Sequence, residues 1–221
     1  KKLPAQIGAI TKLANAFVRM TKYEYAIRAY ERGKQLIGDK YSFAYNLGNL
    51  YQRKGDTPKM VENYLASLQE RPSRLNNLKR LFENYLEEVD YLELQSQIYG
   101  FIQEYPDDNI HFIELLTWSF IQQKDYRNAL RQSKALDRRL GENGGRVYRL
   151  AQTAANEKNY DAAIEAYQYL IDDKGPGSTY YIDAKRESLS SRRKKITDGF
   201  DYTQEDLLTL EAQYEEFLQV I

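Results

Sequence analysis

Chemistry requires reactive side chains within reach of one another, and this 221-residue chain supplies few of them. It has no Cys and a single His. That composition removes disulfides, thiolate nucleophiles, Cys-bound zinc, iron–sulfur clusters and multi-His metal sites. A catalytic dyad would have to be built on His111, yet no Ser or Asp arrangement around it suggests an activated nucleophile. The acidic pairs Glu87–Glu88, Asp107–Asp108 and Glu215–Glu216 could in principle serve acid–base work. Their positions fit solvated helix faces or helix starts better. No Gly-rich phosphate loop is present, and Gly144–Gly145 reads as a turn. The expectation is a chain that is not an enzyme, with no metal and no cofactor.

Binding chemistry has more to work with. Lys and Arg total 32 against 32 Asp and Glu, so there is no bulk field to attract nucleic acid or an anionic membrane. The charge is nevertheless segregated. Residues 127–149 hold seven bases (Arg127, Arg131, Lys134, Arg138, Arg139, Arg146, Arg149) against Asp137 and Glu142. Residues 185–195 add six bases against Glu187, whereas 201–216 hold six acids and no base. Two readings follow: the acidic stretch covers the basic one before it, or the bases face an acidic partner. RNA would want aromatics interleaved with the bases. Tyr148 is the only aromatic in the first cluster, so nucleic acid is not expected. No apolar run approaches the roughly 18 residues of a membrane helix, and no signal-peptide core is evident; no membrane insertion is expected of this segment.

The elements that would position any site come from a repeat. Segments beginning at Ile7, Tyr41, Leu75, Ile110 and Gly144 are spaced by 34, 34, 35 and 34 residues. Their fourth, seventh and eleventh positions are apolar or aromatic: Ile10, Leu13, Phe17; Ala44, Leu47, Tyr51; Leu78, Leu81, Tyr85; Ile113, Leu116, Phe120; Val147, Leu150, Ala154. The eighth is small in four segments (Ala14, Gly48, Thr117, Ala151), with Phe82 the exception. The twentieth reads Ala26, Met60, Leu94, Ala129, Ala163, and the twenty-fourth is Tyr30, Tyr64 and Tyr167 in three segments. Apolar residues at these spacings make one helical face. A polar break follows at Thr21–Lys22, Gly55–Asp56, Gln123–Asp125 and Glu157–Asn159, and then a second stripe begins. Each segment therefore predicts two antiparallel helices, drawn close by the small residues and ended at Pro72 and Pro106 in two segments. Bulky Phe82 and Leu94 predict skewed packing in the third.

The period, the recurrent aromatic, Tyr25-Ala26-Ile27-Arg28-Ala29-Tyr30 and the Tyr-Asp-Ala-Ala-Ile-Glu-Ala-Tyr run at 160–167 resemble the tetratricopeptide repeat. The resemblance covers about residues 5–176 and implies an all-α, right-handed α-solenoid of such hairpins. It implies units at about 7–40, 41–74, 75–109, 110–143 and 144–176, followed by a terminal helix pair at 178–220. That pair is expected to be Ser178–Thr197 and Thr203–Val220, jointed at Asp198–Gly199, with Thr203 as an N-cap and a break at Gly175–Gly177. Pro4 falls where a preceding unit would end, so the 1–221 array is expected to be a fragment of a longer repeat protein. A looser similarity to exported repeat proteins of Bacteroidota tilts the compartment toward the periplasm or envelope over the cytoplasm.

The resemblance also implies a function: a scaffold whose first helices line a concave groove for a peptide or protein surface. Carried over by position, that groove holds Asn15, Tyr45, Asn46, Asn49, Arg80, Trp118, Tyr148 and Arg149. Thr11, Lys12, Asn76, Lys79, Glu83, His111, Glu114, Leu115 and Gln152 lie beside them. Chaperone-adaptor members of the family clamp a peptide carboxylate with Lys-Asn-Asn-Lys-Arg. Here those positions read Thr11, Asn15, Asn46, Asn76 and Arg80, so two of the three cations are lost. The alternative is a structural spacer of a larger envelope protein with no ligand of its own.

Overall fold

A computed structural model describes residues 4–38, 41–199 and 202–219. Lys1–Leu3 ahead of Pro4, Asp39 and Lys40 of the first segment, Asp201 of the acidic stretch and Val220 of the final helix lie outside the described residues. Among the described residues the fold is all-α, with twelve helices and no strand. They are α1 (Ile7–Arg19), α2 (Tyr23–Ile37), α3 (Ala44–Lys54), α4 (Thr57–Glu70), α5 (Leu75–Tyr85) and α6 (Asp90–Glu104). There follow α7 (Ile110–Gln122), α8 (Tyr126–Arg139), α9 (Gly145–Asn156), α10 (Tyr160–Tyr169), α11 (Tyr181–Gly199) and α12 (Gln204–Leu218). The chain forms two compact units that meet in sequence within α7, one up to Leu115 and one from Leu116 onward.

One local motif builds the hairpins in both units. The polar breaks place Thr21, Gly55, Lys124 and Lys158 in the left-handed region, at φ 56°, 72°, 57° and 61°. The next residue then donates its backbone N–H to the carbonyl five residues earlier. Lys22 N–H reaches the Phe17 carbonyl, Asp56 that of Tyr51, Asp125 that of Phe120 and Asn159 that of Ala154, at 2.8–3.0 Å. This pairing satisfies carbonyls that a helix end would otherwise leave bare. In three cases the same residue caps the following helix: Asp56, Asp125 and Asn159 accept from Lys59, Asn128 and Ala162 backbone N–H at 3.3, 3.1 and 3.2 Å. One residue thus ends one helix and starts the next, which keeps the turn short and the helices antiparallel neighbours.

In the unit up to Leu115, α1 packs on α2, α3 on α4, α2 on α3 and α4 on α6. The eighth and twenty-fourth repeat positions meet inside the α3–α4 hairpin. A Cβ on Gly48 would lie 2.7 Å from the Tyr64 ring, so only glycine lets the two helices approach this far. Tyr64 is fully buried, and its hydroxyl donates to Asn49 Oδ1 at 2.8 Å, with Gln52 Oε1 at 3.1 Å. Ala14 with Tyr30, and Ala151 with Tyr167, are buried at the same two offsets. Phe82 and Leu94 of the third segment are both wholly buried. Phe82 turns its ring edge-on to Tyr64, 6.0 Å between centroids, so the bulk at that position fills space beside the preceding hairpin.

In the unit from Leu116, α8 packs on α9, α9 on α10, α10 on α11 and α11 on α12. The chain leaves α10 through a π-turn at Leu170–Lys174 and a tight turn at Gly175–Gly177. Asp198 and Gly199, expected to form the last joint, belong to α11 instead. The Tyr160 hydroxyl donates to Asp198 Oδ2 at 2.5 Å, which ties this end of α11 to the start of α10. Thr203 opens α12 with a capping box: its Oγ1 accepts from Asp206 N–H at 3.2 Å, and Asp206 Oδ2 accepts from Thr203 N–H at 2.8 Å.

The contact at Gly48 is testable. Gly48→Ala must displace the Tyr64 ring, and the strain should lower stability by about 1–3 kcal/mol. A denaturation midpoint equal to wild type would show that the hairpin does not depend on this approach.

Candidate interaction surface

The predicted groove residues divide into those held by their own chain and those left open. Within the unit up to Leu115, Asn15 and Arg80 are exposed, and neither side chain has a partner among the described residues. Tyr45 is half-buried and fixed on three sides. Asn77 Nδ2 donates to its hydroxyl at 3.0 Å, the Arg74 guanidinium lies 4.9 Å from its ring centroid, and the Tyr64 ring is 5.6 Å away. Asn49 accepts the Tyr64 hydroxyl, as described above. Asn46 and Thr11 hydrogen-bond the Tyr30 hydroxyl, which partly offsets the upward push of burial on its pKa. Two of the five clamp positions therefore serve a core tyrosine. Of the others, Asn15, Asn76 and Arg80 are exposed, and Arg80 carries the only formal charge.

His111 lies in the core. Its Nε2 is 3.1 Å from Gln69 Oε1, and its ring lies 4.3 Å from that of Phe112. Burial holds its pKa below the ordinary value, against the opposing pull of Asp108 and Glu114. This is a satisfied core histidine, 3.9 Å from Asp108 Oδ1.

Within the unit from Leu116, Arg149 is exposed and makes no side-chain hydrogen bond or ion pair among the described residues, though its charge helps lower the Glu142 pKa, and Trp118 and Tyr148 are half-buried. Trp118 is engaged by its surroundings. Tyr148 stacks on Tyr180 at 4.9 Å and meets the Tyr167 ring edge-on at 5.8 Å. Three of the seven bases at 127–149 are matched by acids. Lys134 lies 3.6 Å from Glu165, Arg138 lies 2.5 Å from Asp173, and Arg146 lies 2.5 Å from Glu142. Solvent-exposed pairs of this kind are worth little individually.

Sequence reasoning missed the most constrained polar group in this unit. Asp137, read as part of a charged surface, is completely buried. Its carboxylate accepts from Gly144 N–H at 2.8 Å and from the Tyr169 hydroxyl at 3.0 Å, and it lies 2.5 Å from Lys174 Nζ. Lys174 also donates to the Glu142 carbonyl at 2.7 Å. Burial and the bond to Asp137 raise the Tyr169 pKa to about 12. The π-turn carries Lys174 to this position. Gly144, at φ 89°, has no room for a side chain: a Cβ would lie 2.4 Å from Leu170 Cδ2. The signal available in sequence was Gly144 seven residues after an acid, which reads equally as a plain turn.

A chain of helical hairpins with repeated turns has the architecture of a helical-repeat protein. Residues 147–171 match the tetratricopeptide-repeat family model, a span that takes in most of α9 and all of α10. The chain therefore carries a tetratricopeptide repeat, and that repeat suggests a protein–protein interaction scaffold with protein partners. No curated protein matches the sequence. Among the described residues, no helix is long and apolar enough to cross a membrane. No group of three or more His, Asp or Glu among them could hold a metal ion.

The buried Asp137 network gives a clear expectation. Asp137→Ala strands the Lys174 ammonium and the Tyr169 hydroxyl, so stability should fall by about 3–5 kcal/mol. Urea unfolding followed by circular dichroism measures it. A loss under 1 kcal/mol would mean that water replaces the carboxylate without penalty.

Proposed function

We propose that the chain is a non-catalytic scaffold that binds a peptide or protein surface along the first helices of its repeats. The observation that supports this most is the division of labour among their polar side chains. Tyr45, Asn46, Asn49 and Tyr148 are anchored from behind by Arg74 and Asn77, Tyr30, Tyr64 and Tyr180. Asn15, Arg80 and Arg149, also on first helices, are exposed and make no side-chain hydrogen bond or ion pair among the described residues. Anchored aromatics and amides lose little freedom when a partner docks, and unmatched Asn and Arg supply directional hydrogen bonds to peptide backbone or carboxylate. Because the clamp positions retain a single cation, a partner that meets them is held by several weak polar contacts around Arg80.

The test is cross-linked capture from extracts of the source organism. Wild type is compared with an Asn15→Ala/Arg80→Ala/Arg149→Ala variant whose helicity matches by circular dichroism. These exposed side chains make no hydrogen bond or ion pair among the described residues, so the variant should fold normally and lose at least about 90% of the capture, corresponding to the ~1.4 kcal/mol of a tenfold change. Equal capture by both would place the interaction elsewhere, and no capture by either would favour a spacer without a ligand.

A further inference from the structure

Two helices turn stripes of opposite charge to the outside. α2 buries Ala26, Ile27, Ala29, Tyr30 and Gly33, and on its other side Tyr25, Arg28, Arg32 and Leu36 are all exposed. α12 packs on α11 and half-buries Leu210, Gln213 and Phe217. On its other side Leu207, Glu211, Glu215 and Leu218 are all exposed. At about 3.6 residues per turn, steps of three and four keep each set on a single stripe. Both stripes read apolar, charged, charged, apolar.

The charges on each stripe are of one sign. Arg28 lies over the Tyr25 ring, 5.8 Å from its centroid, and Arg32 donates to Gln35 at 2.8 Å. Neither forms an ion pair among the described residues, although Arg28, behind Lys54, helps lower the Glu24 pKa. The two acids of α2 lie off its stripe: Glu24 pairs with Lys54 of α3, and Glu31 is near enough to Tyr51 of α3 to raise its pKa. α12 holds no base. Its Glu216 lies 3.7 Å from Lys185, and its Asp206 is turned onto Thr203 by the capping box. Glu211 and Glu215, on the stripe, make no hydrogen bond or ion pair among the described residues.

The spacings match as well. From Tyr25 the α2 stripe steps by three, four and four residues to Leu36, and from Leu218 backwards the α12 stripe steps by three, four and four to Leu207. We propose that the chain self-associates, the α2 stripe of one copy packing antiparallel on the α12 stripe of another. Arg28 then faces Glu215 and Arg32 faces Glu211, with Tyr25 on Leu218 and Leu36 on Leu207 at the two ends. A second copy is the occupant because the chain supplies, for each stripe, the counterpart in charge, apolar ends and spacing. The two surfaces differ, so the contact is heterologous and continues past a dimer unless it closes into a ring. Two exposed ion pairs and two apolar contacts make it weak and salt-sensitive. It uses none of the first-helix residues and stands or falls independently of them.

The test is sedimentation equilibrium of the whole chain at low salt, up to about 1 mM protein, the limit of weak association. The average mass of wild type should rise with concentration. Arg28→Glu/Arg32→Glu and Glu211→Arg/Glu215→Arg, each with unchanged helicity by circular dichroism, should each weaken association at least about tenfold, because like charges then face each other. An equimolar mixture of the two should recover it, since each reversed stripe meets its opposite on the other variant. Arg127→Glu/Arg131→Glu, exposed on α8, makes the same change in net charge as the α2 variant and should leave association unchanged. Four results would overturn the proposal: a monomer at every concentration, association that survives either stripe reversal, no recovery in the mixture, or equal loss in the α8 variant.

Discussion

The close approach of two helices over a single glycine or alanine sets the terms for the rest of the structure. Where Gly48 leaves room for the Tyr64 ring, α3 and α4 come near enough for the tyrosine to be fully buried. Its hydroxyl must then find a partner, because a buried, unsatisfied hydroxyl costs about 1–3 kcal/mol. Asn49, one residue beyond Gly48, is that partner. Tyr30 is matched in the same manner by Thr11 and Asn46. In these two hairpins the core thus reaches through and fixes the amides on its far side. A residue that looks like a binding group in the sequence is often the acceptor that a buried tyrosine requires.

Much of the fold was legible because its causes are local and recurrent. A polar break in four of the five segments supplied the left-handed turn residue and in three of them the cap, and the apolar spacing supplied the helices. What escaped notice depended on contacts without a periodic signature. Gly33 supports a close approach to Ile10 and Phe43, where a Cβ would lie 2.6 and 3.2 Å from their side chains, and nothing in its neighbours announces it. Asp137 looked like one more charge among arginines, because its burial depends on a π-turn more than thirty residues later. The end of α11 was misjudged for a related reason. Asp198 and Gly199 have the composition of a joint, but the bond from Tyr160 holds Asp198 in the helix.

The candidate surface was legible as a set of positions and not as a set of free groups. Repeat phase identified the first-helix residues, but it carried no information on which would be consumed by the core. Tyr148 looked like an interface anchor and is stacked against Tyr180. His111 looked like a groove residue and is a buried neighbour of Gln69. Among the eight positions taken as the groove, the exposed ones without a side-chain hydrogen bond or ion pair among the described residues are fewer: Asn15, Arg80 and Arg149. If partners meet these groups as proposed, the contacts would be polar and directional from a prefixed background, which favours specificity over raw affinity.

The central claim is that partners meet the first helices of the hairpins and not the second ones. Site-specific photocross-linking tests it most directly, with the reactive residue placed in turn at Asn15, Arg80 and Arg149 on first helices and at Glu62 and Gln103 on second helices. All five are exposed, so labelling differences report the partner and not accessibility. The account predicts one shared protein adduct at the first-helix positions and none at Glu62 or Gln103. Adducts confined to Glu62 or Gln103 would contradict it.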